Sequence, residues 1–505
     1  MALLNSVLAW IMKQRIHQIE LFIKYPHEVQ EDCFQWLVSS AKNTEWGLKY
    51  GYNAINKPSQ YKERVPINNY DGLKPYIDRL RQGEQNILWP QEIKWFAVSS
   101  GTTADKSKFI PVSEDTIEEC HFKGGKDVLT FYCNNQPETK LFDGKGLALG
   151  GSHTVNEFDN KAFHGDLSAI LIQNMPFWAQ FIRTPDLSVA LMNEWESKLD
   201  TIARITSKED VTSLSGVPSW TLLLLKKVLE ITGKEDIGEV WQNLELFIHG
   251  GISFLPYAEQ YKKIITSDKM NYLETYNASE GFFGIQDRSD ADDMLLMLDY
   301  GIYYEFLPIE DLDKEYPRTL NLDEVALDTN YALIISTNSG LWRYRIGDTI
   351  KFTSLSPHRI KISGRTKSFI NAFGEELMID NADKALEIAC KKTGAIVSEY
   401  TAAPVFFQDR NGGVHEWLIE FAEEPESIEY FGEIFDNALK SLNSDYEAKR
   451  YHDMILQQPL IRVLPKDTFY IWLKQKGRLG GQYKVPRLAN ERKHVDEILT
   501  ILKNL

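Results

Sequence analysis

Cysteine is scarce in this sequence. Its 505 residues include four, Cys33, Cys120, Cys133 and Cys390, and no two of them form a CxxC pair. A zinc knuckle or a disulfide framework requires closely spaced cysteine pairs, so neither is supported. We therefore expect reduced thiols and a cytoplasmic protein.

Basic side chains are in the minority. The chain has 56 Lys and Arg against 72 Asp and Glu, which gives a formal net charge of −16. Such a balance repels nucleic acid and anionic lipid on average, so we expect neither as a partner. A local basic site is still compatible with this balance.

Long apolar runs are missing as well. No stretch approaches the ~20 apolar residues that a membrane-spanning helix needs. The N-terminal run MALLNSVLAWIMKQ has no preceding positive charge and no small-residue cleavage site after it, which argues against a signal peptide. Its apolar residues recur at helical spacing and predict an amphipathic helix that packs onto the body.

The length exceeds what one compact core usually supports, so we expect at least two domains. The chain up to about Tyr70 has helical patterns. From IKWFAVSS onward, short apolar runs alternate with helical patterns, which predicts an α/β core. Gly364 and Gly374 flank a short charged connector, and we place the domain boundary there. Residues 1–364 then form the larger domain, and residues 365–505 form a smaller one of normal domain size.

Hydroxyl groups, a glycine and cations crowd the stretch AVSSGTTADKSKFIPVS, residues 97–113. Gly101 would let backbone N–H groups approach an anion, and the Ser, Thr and Lys side chains would donate hydrogen bonds to phosphate. The stretch is not a P-loop, because Lys106 stands where G-x-x-x-x-G-K-[ST] needs its second glycine. A polar surface turn has the same composition, so both interpretations stay open at this point.

Three further segments carry residue types suited to a nucleotide. In LETYNASEGFFGIQ, Tyr276 can stack on a purine and Ser279 can reach a phosphate. Glu280 is a single carboxylate of the kind that Mg²⁺ takes from protein. In LWRYRIGDTI, Asp348 can accept hydrogen bonds from ribose hydroxyls, and in GGQYKVPR, Lys484 lies in a glycine-rich loop. Taken singly, the segments around Glu280 and Lys484 favour ordinary turns with a solvated glutamate and an exposed lysine.

Two arginines of the LWRYRIGDTI segment leave a choice open. Arg343 and Arg345 stand close to Asp348 in the sequence. Guanidinium groups pair with phosphate and with carboxylate equally well in geometry. The sequence therefore fits a contact with phosphate and a contact with acidic neighbours alike.

The order of the segments is more informative than any one of them. SSGTTADKSKFIP, TYNASEGFFG, YRIGD, GRTKSFINAFGEEL and QYKVPR together resemble the motif series of acyl-adenylate-forming enzymes, the firefly-luciferase superfamily. Within it, the chain is most similar to the Gretchen Hagen family of acyl acid amido synthetases, from about residue 90 to 490. The resemblance implies a large N-terminal adenylate-forming domain, made of α/β subdomains and a small β-barrel-like part. It also implies a smaller, mobile α+β C-terminal domain with its hinge at residues 364–367.

The resemblance assigns the hydroxyl-rich loop to the phosphates of ATP. The residues implied are Ser99, Ser100, Thr102, Thr103, Lys106 and Lys108. Ala104 replaces a glycine of the wider superfamily, which leaves open which lysine contacts phosphate. For the nucleoside, the resemblance implies that Gly250 and Gly251 line the adenine, that Tyr276 stacks on it and that Asp348 binds the ribose. Arg365 matches the arginine that follows the hinge glycine, and Lys367 occupies the hinge position.

The resemblance also implies the chemistry. Ser279 would touch the α-phosphate, Glu280 would hold Mg²⁺, and Lys484 would bridge the substrate carboxylate and the α-phosphate. Glu280 and Lys484 are therefore the implied catalytic residues. A small carboxylic acid would be adenylated with loss of pyrophosphate, and an amine, expected to be that of an amino acid, would then take the acyl group. A thiol acceptor, as in an acyl-CoA ligase, and an inactive nucleotide-binding protein are the alternatives.

The acyl pocket is the least specific of these expectations. Its candidates are Phe177, Trp178, Val217, Trp220 and Phe282. Aromatic side chains of this kind form core more often than pocket. The sequence carries no oligomerisation signature and identifies neither the acid nor the amine.

Overall fold

A computed structural model describes most of the chain. The residues described are 15–99, 108–150, 156–157, 162–192, 194–312, 314–366, 369–370, 372–373, 375, 377–407, 413–450, 456–479 and 484–502. The chain divides into two compact units, Met1–Gly251 with Ile265–Lys361, and Ile252–Ile264 with Ile362–Leu505. The boundary predicted near Gly364 lies three residues beyond Lys361. No feature of the sequence indicated that Ile252–Ile264 belongs to the second unit.

The first unit begins with helices, as the sequence predicts. Side-chain caps fix several helix starts: Thr44 Oγ1 accepts from the Gly47 amide, and Asn69 Oδ1 accepts from the Gly72 amide, both at 3.0 Å. The α-helices of this unit are α1 (15–24), α2 (Pro26–Ala41), α3 (Glu45–Tyr50), α4 (Pro58–Arg64), α5 (Tyr70–Arg81), α6 (Glu114–Thr116), α7 (Lys123–Asn135), α8 (Leu167–Asn174), α9 (Leu187–Ala190), α10 (Trp195–Thr206), α11 (Pro218–Thr232) and α12 (Ile237–Val240). A π-helix spans Ile117–Phe122, and 3-10 helices span Tyr52–Ala54, Leu141–Asp143, Phe177–Ile182 and Ile309–Asp311.

The strands of the first unit form two sheets. They are β1 (Trp95–Ser99), β2 (Lys108–Val112), β3 (Lys145–Ala148), β4 (Asn156–Glu157), β5 (Phe163–Gly165), β6 (Arg183–Thr184), β7 (Val211–Gly216), β8 (Leu246–Gly250), β9 (Asn271–Ala278), β10 (Gly281–Ile285), β11 (Met294–Leu296), β12 (Ile302–Pro308), β13 (Asn330–Thr337), β14 (Tyr344–Leu355) and β15 (His358–Arg365), the last running past Lys361. The smaller sheet has the order β2-β1-β5-β4. The larger has eleven strands in the order β12-β13-β14-β15-β11-β10-β9-β8-β7-β3-β6.

The eleven-stranded sheet combines a parallel and an antiparallel half. Strands β6, β3, β7, β8 and β9 pair in parallel, whereas the pairs from β9 to β11 and from β12 to β14 are antiparallel. Parallel strands need crossover connections. Helix α10 supplies one between β6 and β7, which lie on either side of β3, and α11 supplies one between the neighbours β7 and β8. The expected α/β architecture is thereby confirmed. Among the described residues, the antiparallel strands continue the large sheet.

The second unit is a smaller α+β arrangement, as expected. Its helices are α13 (Ala258–Ile264), α14 (Ile379–Thr393), α15 (Ile428–Leu442), α16 (Ser444–Arg450), α17 (Thr468–Gln475) and α18 (Lys493–Leu502), with a 3-10 helix at Leu255–Tyr257. Its strands β16 (Ile396–Phe406), β17 (Gly413–Glu423) and β18 (Leu460–Leu464) form one sheet in that order. The core of this unit lies where Trp417 of β17 meets the ring of Phe435 edge to face, with ring centroids 4.7 Å apart.

Among the helices described, none combines the length and the apolar character that crossing a membrane requires.

A buried amide joins helix α2 to the edge of the large sheet. Gln30 Nε2 donates to the carbonyls of Leu298 and Ile302, both at 2.9 Å, and Gln30 Oε1 accepts from the Tyr304 amide at 3.0 Å. The residue is 4% exposed, and these bonds satisfy both ends of its side chain. The contact fixes α2 against β12, the strand at the end of the sheet.

A buried ion pair holds β12 and the turn before β14 together. Arg343 Nε and Nη2 donate to the two carboxylate oxygens of Glu305 at 3.0 and 2.9 Å, with side chains 5% and 1% exposed. Arg343 Nη1 donates to the carbonyl of Val65 at 2.6 Å, and Nη2 also donates to Thr319 Oγ1 at 2.9 Å. Arg343 therefore pairs with an acidic neighbour, which resolves the choice that the sequence left open for this residue.

Removing one partner of this pair should destabilise the first unit strongly. Glu305→Gln leaves the Arg343 guanidinium buried without a counter-charge, and we expect the free energy of unfolding to fall by about 3–5 kcal/mol. Urea unfolding followed by tryptophan fluorescence would measure the loss. The matched control is Glu45→Gln, which breaks the solvent-exposed pair of Glu45 with Arg79 and should leave the midpoint unchanged. Equal midpoint shifts in the two variants would show that the buried pair contributes no more to the free energy of unfolding than the exposed pair.

Candidate active site

The parallel half of the sheet brings two of the predicted segments to one edge. Strands β8 and β9 are parallel neighbours, and Gly250, the last residue of β8, pairs with Thr275. A Cβ atom on Gly250 would lie 2.4 Å from the Thr275 carbonyl oxygen, so only glycine fits this approach. Gly251 follows with φ +82°, a conformation that glycine adopts readily. Ligands of open α/β sheets bind outside the carboxyl ends of the strands, which is where these glycines lie.

The predicted base-stacking and ribose-binding residues meet directly. Tyr276 Oη donates a hydrogen bond of 2.8 Å to Asp348 Oδ2, joining β9 to β14 across 72 residues of sequence. Tyr276 is 4% exposed, and its ring lies 4.8 Å from the ring of Phe283. Gly347, with φ +101°, precedes Asp348 at the point where the register between β13 and β14 shifts. The structure thus brings together two residues that the sequence assigned to one nucleoside.

Ser279 and Glu280 form the turn between β9 and β10. The flanking residues Ala278 and Gly281 are paired across the hairpin, which places the turn directly beyond the Tyr276 position. Glu280 is 7% exposed, so the solvated glutamate expected of an ordinary turn is not what the structure has. The described residues contain no group of three or more His, Cys, Asp and Glu able to hold a metal. A single carboxylate fits Mg²⁺, which takes its other ligands from phosphates and water.

The hydroxyl-rich segment connects two paired strands. Ser99 ends β1 and lies opposite Lys108, the first residue of β2, so residues 100–107 join the ends of an antiparallel pair. Lys108 Nζ lies 6.0 Å from the centre of the Tyr70 ring. The remaining predicted phosphate ligands, Ser100, Thr102, Thr103 and Lys106, lie outside the described residues.

A hydroxyl cluster that the sequence analysis missed anchors the strand leading out of this segment. Ser113 follows β2, and its Oγ donates to the Asn338 carbonyl at 2.7 Å, while its amide donates to Ser339 Oγ at 3.1 Å. Thr116 Oγ1 donates to Asn338 Oδ1 at 2.7 Å. The turn that receives these bonds lies between β13 and β14, the strand of Asp348. Only part of this cluster has a recognisable signal in the sequence, namely a serine at the N-cap position of α6, Ser113.

The π-helix at Ile117–Phe122 rests on the hairpin that carries Glu280. His121 Nδ1 lies 3.1 Å from Asn277 Oδ1, and Cys120 Sγ accepts from the Phe282 amide at 3.2 Å. Asn277 and Phe282 are themselves a cross-strand pair of β9 and β10. Burial lowers the pKa of His121 to about 4, so its imidazole is neutral near pH 7.

The predicted C-terminal lysine belongs to the second unit. Lys484 is exposed, and the residues after it are tied to β16: the Ala402 amide donates to the Arg487 carbonyl at 2.8 Å and the Ala489 amide to the Ala402 carbonyl at 3.1 Å. Arg365, partly buried, ends β15. Lys367 lies outside the described residues.

A buried charge cluster holds the segment that follows Lys484, and the sequence analysis did not find it. Arg487 Nη2 donates to Tyr257 Oη at 3.1 Å and lies 3.2 Å from Glu399 Oε1, while Tyr257 Oη donates to Glu399 Oε2 at 2.9 Å. The guanidinium stacks over the Tyr400 ring, 4.4 Å from its centre. Burial raises the pKa of the Glu399 carboxyl, and the Arg487 charge opposes this shift. The cluster therefore fixes the position of the residues that follow Lys484.

The positions of the acyl-pocket candidates do not test their predicted role. Val217, partly buried, is the residue before α11, and Trp220 is 4% exposed with its ring edge to face against Trp195 at 4.9 Å. Phe282 is 4% exposed and packs at the position that Gly124 leaves open. The side chains of Phe177 and Trp178 lie outside the described part of the chain. The acyl-binding role of all five stays a prediction.

Comparison with known protein families identifies the family of this chain. Residues 15–270 match the GH3 family N-terminal domain, residues 295–365 the GH3 family central domain and residues 380–493 the GH3 family C-terminal domain. The chain therefore belongs to the GH3 family, as the motif series predicted.

Particular relatives are similar over almost the full length. Indole-3-acetic acid-amido synthetase GH3.3 of Arabidopsis thaliana is 22% identical over 92% of this chain and 89% of its own. Jasmonoyl--L-amino acid synthetase JAR4 of Nicotiana attenuata is 26% identical over 94% of this chain and 92% of its own. The solved structure of the GH3.15 acyl acid amido synthetase superposes with a TM-score of 0.79 at 15% identity, covering 97% of this chain and 96% of that one. The predicted fold is thereby confirmed.

The buried histidines should make stability depend on pH. Burial lowers the pKa of His121 to about 4 and that of His249, beside Gly250, to about 3, against 6.5 in the unfolded chain. Below pH 6.5 the unfolded state binds protons that the native state does not. The contribution of these histidines to the free energy of unfolding is therefore fully present above pH 6.5. On acidification to pH 4, each histidine should lower the free energy of unfolding by about 1.4 kcal/mol per pH unit.

The variant His121→Gln should reduce this dependence by the share of one histidine, because glutamine does not titrate and His249 remains. Urea unfolding at pH 7.5, 6, 5 and 4 would measure the slope. The exposed His17→Gln serves as control and should keep the wild-type slope. A wild-type slope in His121→Gln as well would contradict the assignment of a neutral, buried His121.

Proposed function

We propose that the chain is an ATP-dependent acyl acid amido synthetase that joins a small carboxylic acid to the amine of an amino acid. The observation that carries this proposal is the meeting of Tyr276, Asp348 and the Glu280 turn at the carboxyl edge of β8 and β9. Membership of the GH3 family supports it, because curated relatives are named as synthetases that join indole-3-acetic acid or jasmonate to amino acids.

The first step activates the acid. A carboxylate is a poor acyl donor because its leaving group would be oxide. One carboxylate oxygen attacks the α-phosphorus of ATP, the bond from that phosphorus to the β-phosphate oxygen breaks, and pyrophosphate leaves. An acyl-adenylate remains, whose AMP departs readily.

Residues of the first unit bind and orient the nucleotide in this step. Asp348, held by Tyr276, accepts hydrogen bonds from the ribose hydroxyls, and Gly250 and Gly251 allow the base to approach the backbone. Glu280 would hold Mg²⁺, which when bound neutralises phosphate charge. The hydroxyl-rich segment that follows Ser99 donates hydrogen bonds to the phosphates.

The second step forms the amide. The amine nitrogen attacks the acyl carbon, the bond from that carbon to the phosphate oxygen breaks, and AMP leaves with loss of a proton from nitrogen. No protein nucleophile takes part, which agrees with a sequence that has no G-x-S-x-G elbow. A movement of the C-terminal domain between the steps and a cytoplasmic location stay predictions.

Pyrophosphate exchange tests the first step. Incubated with ATP, Mg²⁺ and labelled pyrophosphate, the protein should return label to ATP only when a suitable carboxylic acid from a broad panel is present. Amino acids should then release AMP and yield a conjugate of the summed mass, whereas coenzyme A should not. Exchange followed by transfer to coenzyme A alone would make the protein an acyl-CoA ligase. The absence of exchange with every acid would overturn the adenylation proposal.

Lys484 should serve the transition state of adenylation, because a cation there offsets the charge that gathers as pyrophosphate leaves. We expect Lys484→Ala to lower the exchange rate about 10²- to 10³-fold while the ATP dissociation constant changes less than about threefold. Lys466→Ala, which removes another exposed lysine of the second unit, is the matched control and should behave as wild type. Equal losses in rate and in ATP binding would show that Lys484 serves the ground state.

A further inference from the structure

Among the residues that the structure describes, buried arginine side chains have carboxylate partners, with one exception. Among the described residues, the arginines at most 9% exposed that form ion pairs are Arg343 with Glu305, Arg359 with Asp287 and Asp293, Arg450 with Asp436, and Arg487 with Glu399. Arg183 of β6 is 8% exposed and has neither an ion pair nor a hydrogen bond from its guanidinium to any described residue. Its Nε and Nη2 atoms are both buried and lack an acceptor.

Such a group is unfavourable unless something neutralises it. A guanidinium stays charged in proteins, and removing it from water without a counter-charge costs several kcal/mol. Burial lowers the pKa of Arg183, and the Asp186 charge opposes the shift. The Asp186 carboxylate is engaged elsewhere, because its Oδ1 accepts from Ser188 Oγ at 2.7 Å and from the Val189 amide at 3.3 Å, at the start of α9. The described chain therefore offers the Arg183 guanidinium the charge of Asp186 at a distance, and no hydrogen-bonded carboxylate.

The two nitrogens without an acceptor form one edge of the guanidinium. Nε–H and Nη2–H point in the same direction, and this pair of donors matches the two oxygens of a carboxylate. In the register of the sheet, Arg183 pairs with Gly146 of β3. Gly146 has no side chain, and a Cβ built there would lie 3.1 Å from Ser213 Oγ and 3.8 Å from the Ile182 carbonyl oxygen. Gly146 therefore contributes no side chain at the register position next to Arg183.

We propose that Arg183 binds a substrate carboxylate that survives the reaction, and this proposal rests on the function proposed above. A carboxylate held at both oxygens by a guanidinium is a weak nucleophile, so the group bound here is not the one that attacks ATP. Two substrates can carry such a group, the amino acid through its α-carboxylate and the acyl acid through a second carboxylate. The segment that the sequence assigned to the acyl pocket, Phe177 and Trp178, runs directly into β6.

The first experiment is independent of catalysis. Without added carboxylate, Arg183→Gln should melt at the wild-type temperature or above, because it removes a buried guanidinium that no carboxylate binds directly. Arg343→Gln, which breaks the paired guanidinium, is the matched control and should melt several degrees lower. Sodium acetate, exchanged for chloride at constant ionic strength, should raise the melting temperature of the wild type more than that of Arg183→Gln.

The second experiment identifies the substrate concerned. L-Alanine and L-alaninamide differ by one carboxylate, as do glutarate and its monoamide. If the acceptor is bound here, Arg183→Gln should raise the KM for alanine about 10- to 100-fold and leave that for alaninamide unchanged. If the acyl acid is bound here, the same change should appear for glutarate against its monoamide in pyrophosphate exchange. Arg183→Lys keeps the charge without the paired donors and should lie between wild type and Arg183→Gln.

Two results would overturn the proposal. One is a melting temperature of Arg183→Gln as low as that of Arg343→Gln, with the same acetate response as wild type, since Arg183 would then be a structural residue. The other is unchanged KM values in both substrate pairs. If no acid supports exchange, the proposed function fails, and the acetate titration still decides whether Arg183 binds a carboxylate.

Discussion

The parallel pairing of β8 with β9 is the constraint on which the candidate site depends. Parallel neighbours end at the same edge of a sheet. Gly250 and the turn after Ala278 therefore lie at the same edge, independent of the conformation of the segment that connects the two strands. The hydrogen bond from Tyr276 then ties Asp348 of β14 to this edge. Residues from three distant parts of the sequence are positioned by backbone pairing and one side-chain contact. A site built in this way belongs to rigid strands, which suits a reaction that depends on orientation.

Two buried arginines of the first unit have different surroundings. Arg343 is enclosed by Glu305 and backbone carbonyls, so its burial costs little and its removal costs much. Arg183 has a comparable exposure and no partner among the described residues. Local violations of this kind concentrate where proteins bind ligands, because a binding site must keep donors unsatisfied until the ligand arrives. If Arg183 binds a carboxylate as proposed, the two arginines differ because Arg343 stabilises the fold and Arg183 belongs to a binding site.

The sequence predicted the residues whose chemistry is readable over a few positions. Gly250 ends β8 and Ser279 lies in the turn after β9, where glycine and hydroxyl side chains have recognisable local patterns, and Asp348 follows a glycine within β14. Local patterns do not predict contacts between distant strands. The Tyr276–Asp348 hydrogen bond depends on the strand order, and so does the pairing of Arg343 with Glu305 rather than with phosphate. The motif series predicted the family and its α/β fold, whereas Arg183 carried no signal, because its missing partner is a property of packing.

The segment Ile252–Ile264 follows Gly251 in the chain but belongs to the second unit. It supplies Tyr257, whose hydroxyl group bonds to both Glu399 and Arg487. The second unit is thus not encoded by one continuous stretch of the gene. A fragment beginning at Ile362 would retain the buried carboxylate and guanidinium but lose the phenol between them. Recombination that exchanges C-terminal segments between relatives at this boundary would meet the same difficulty, because Tyr257 is encoded ahead of the exchanged segment.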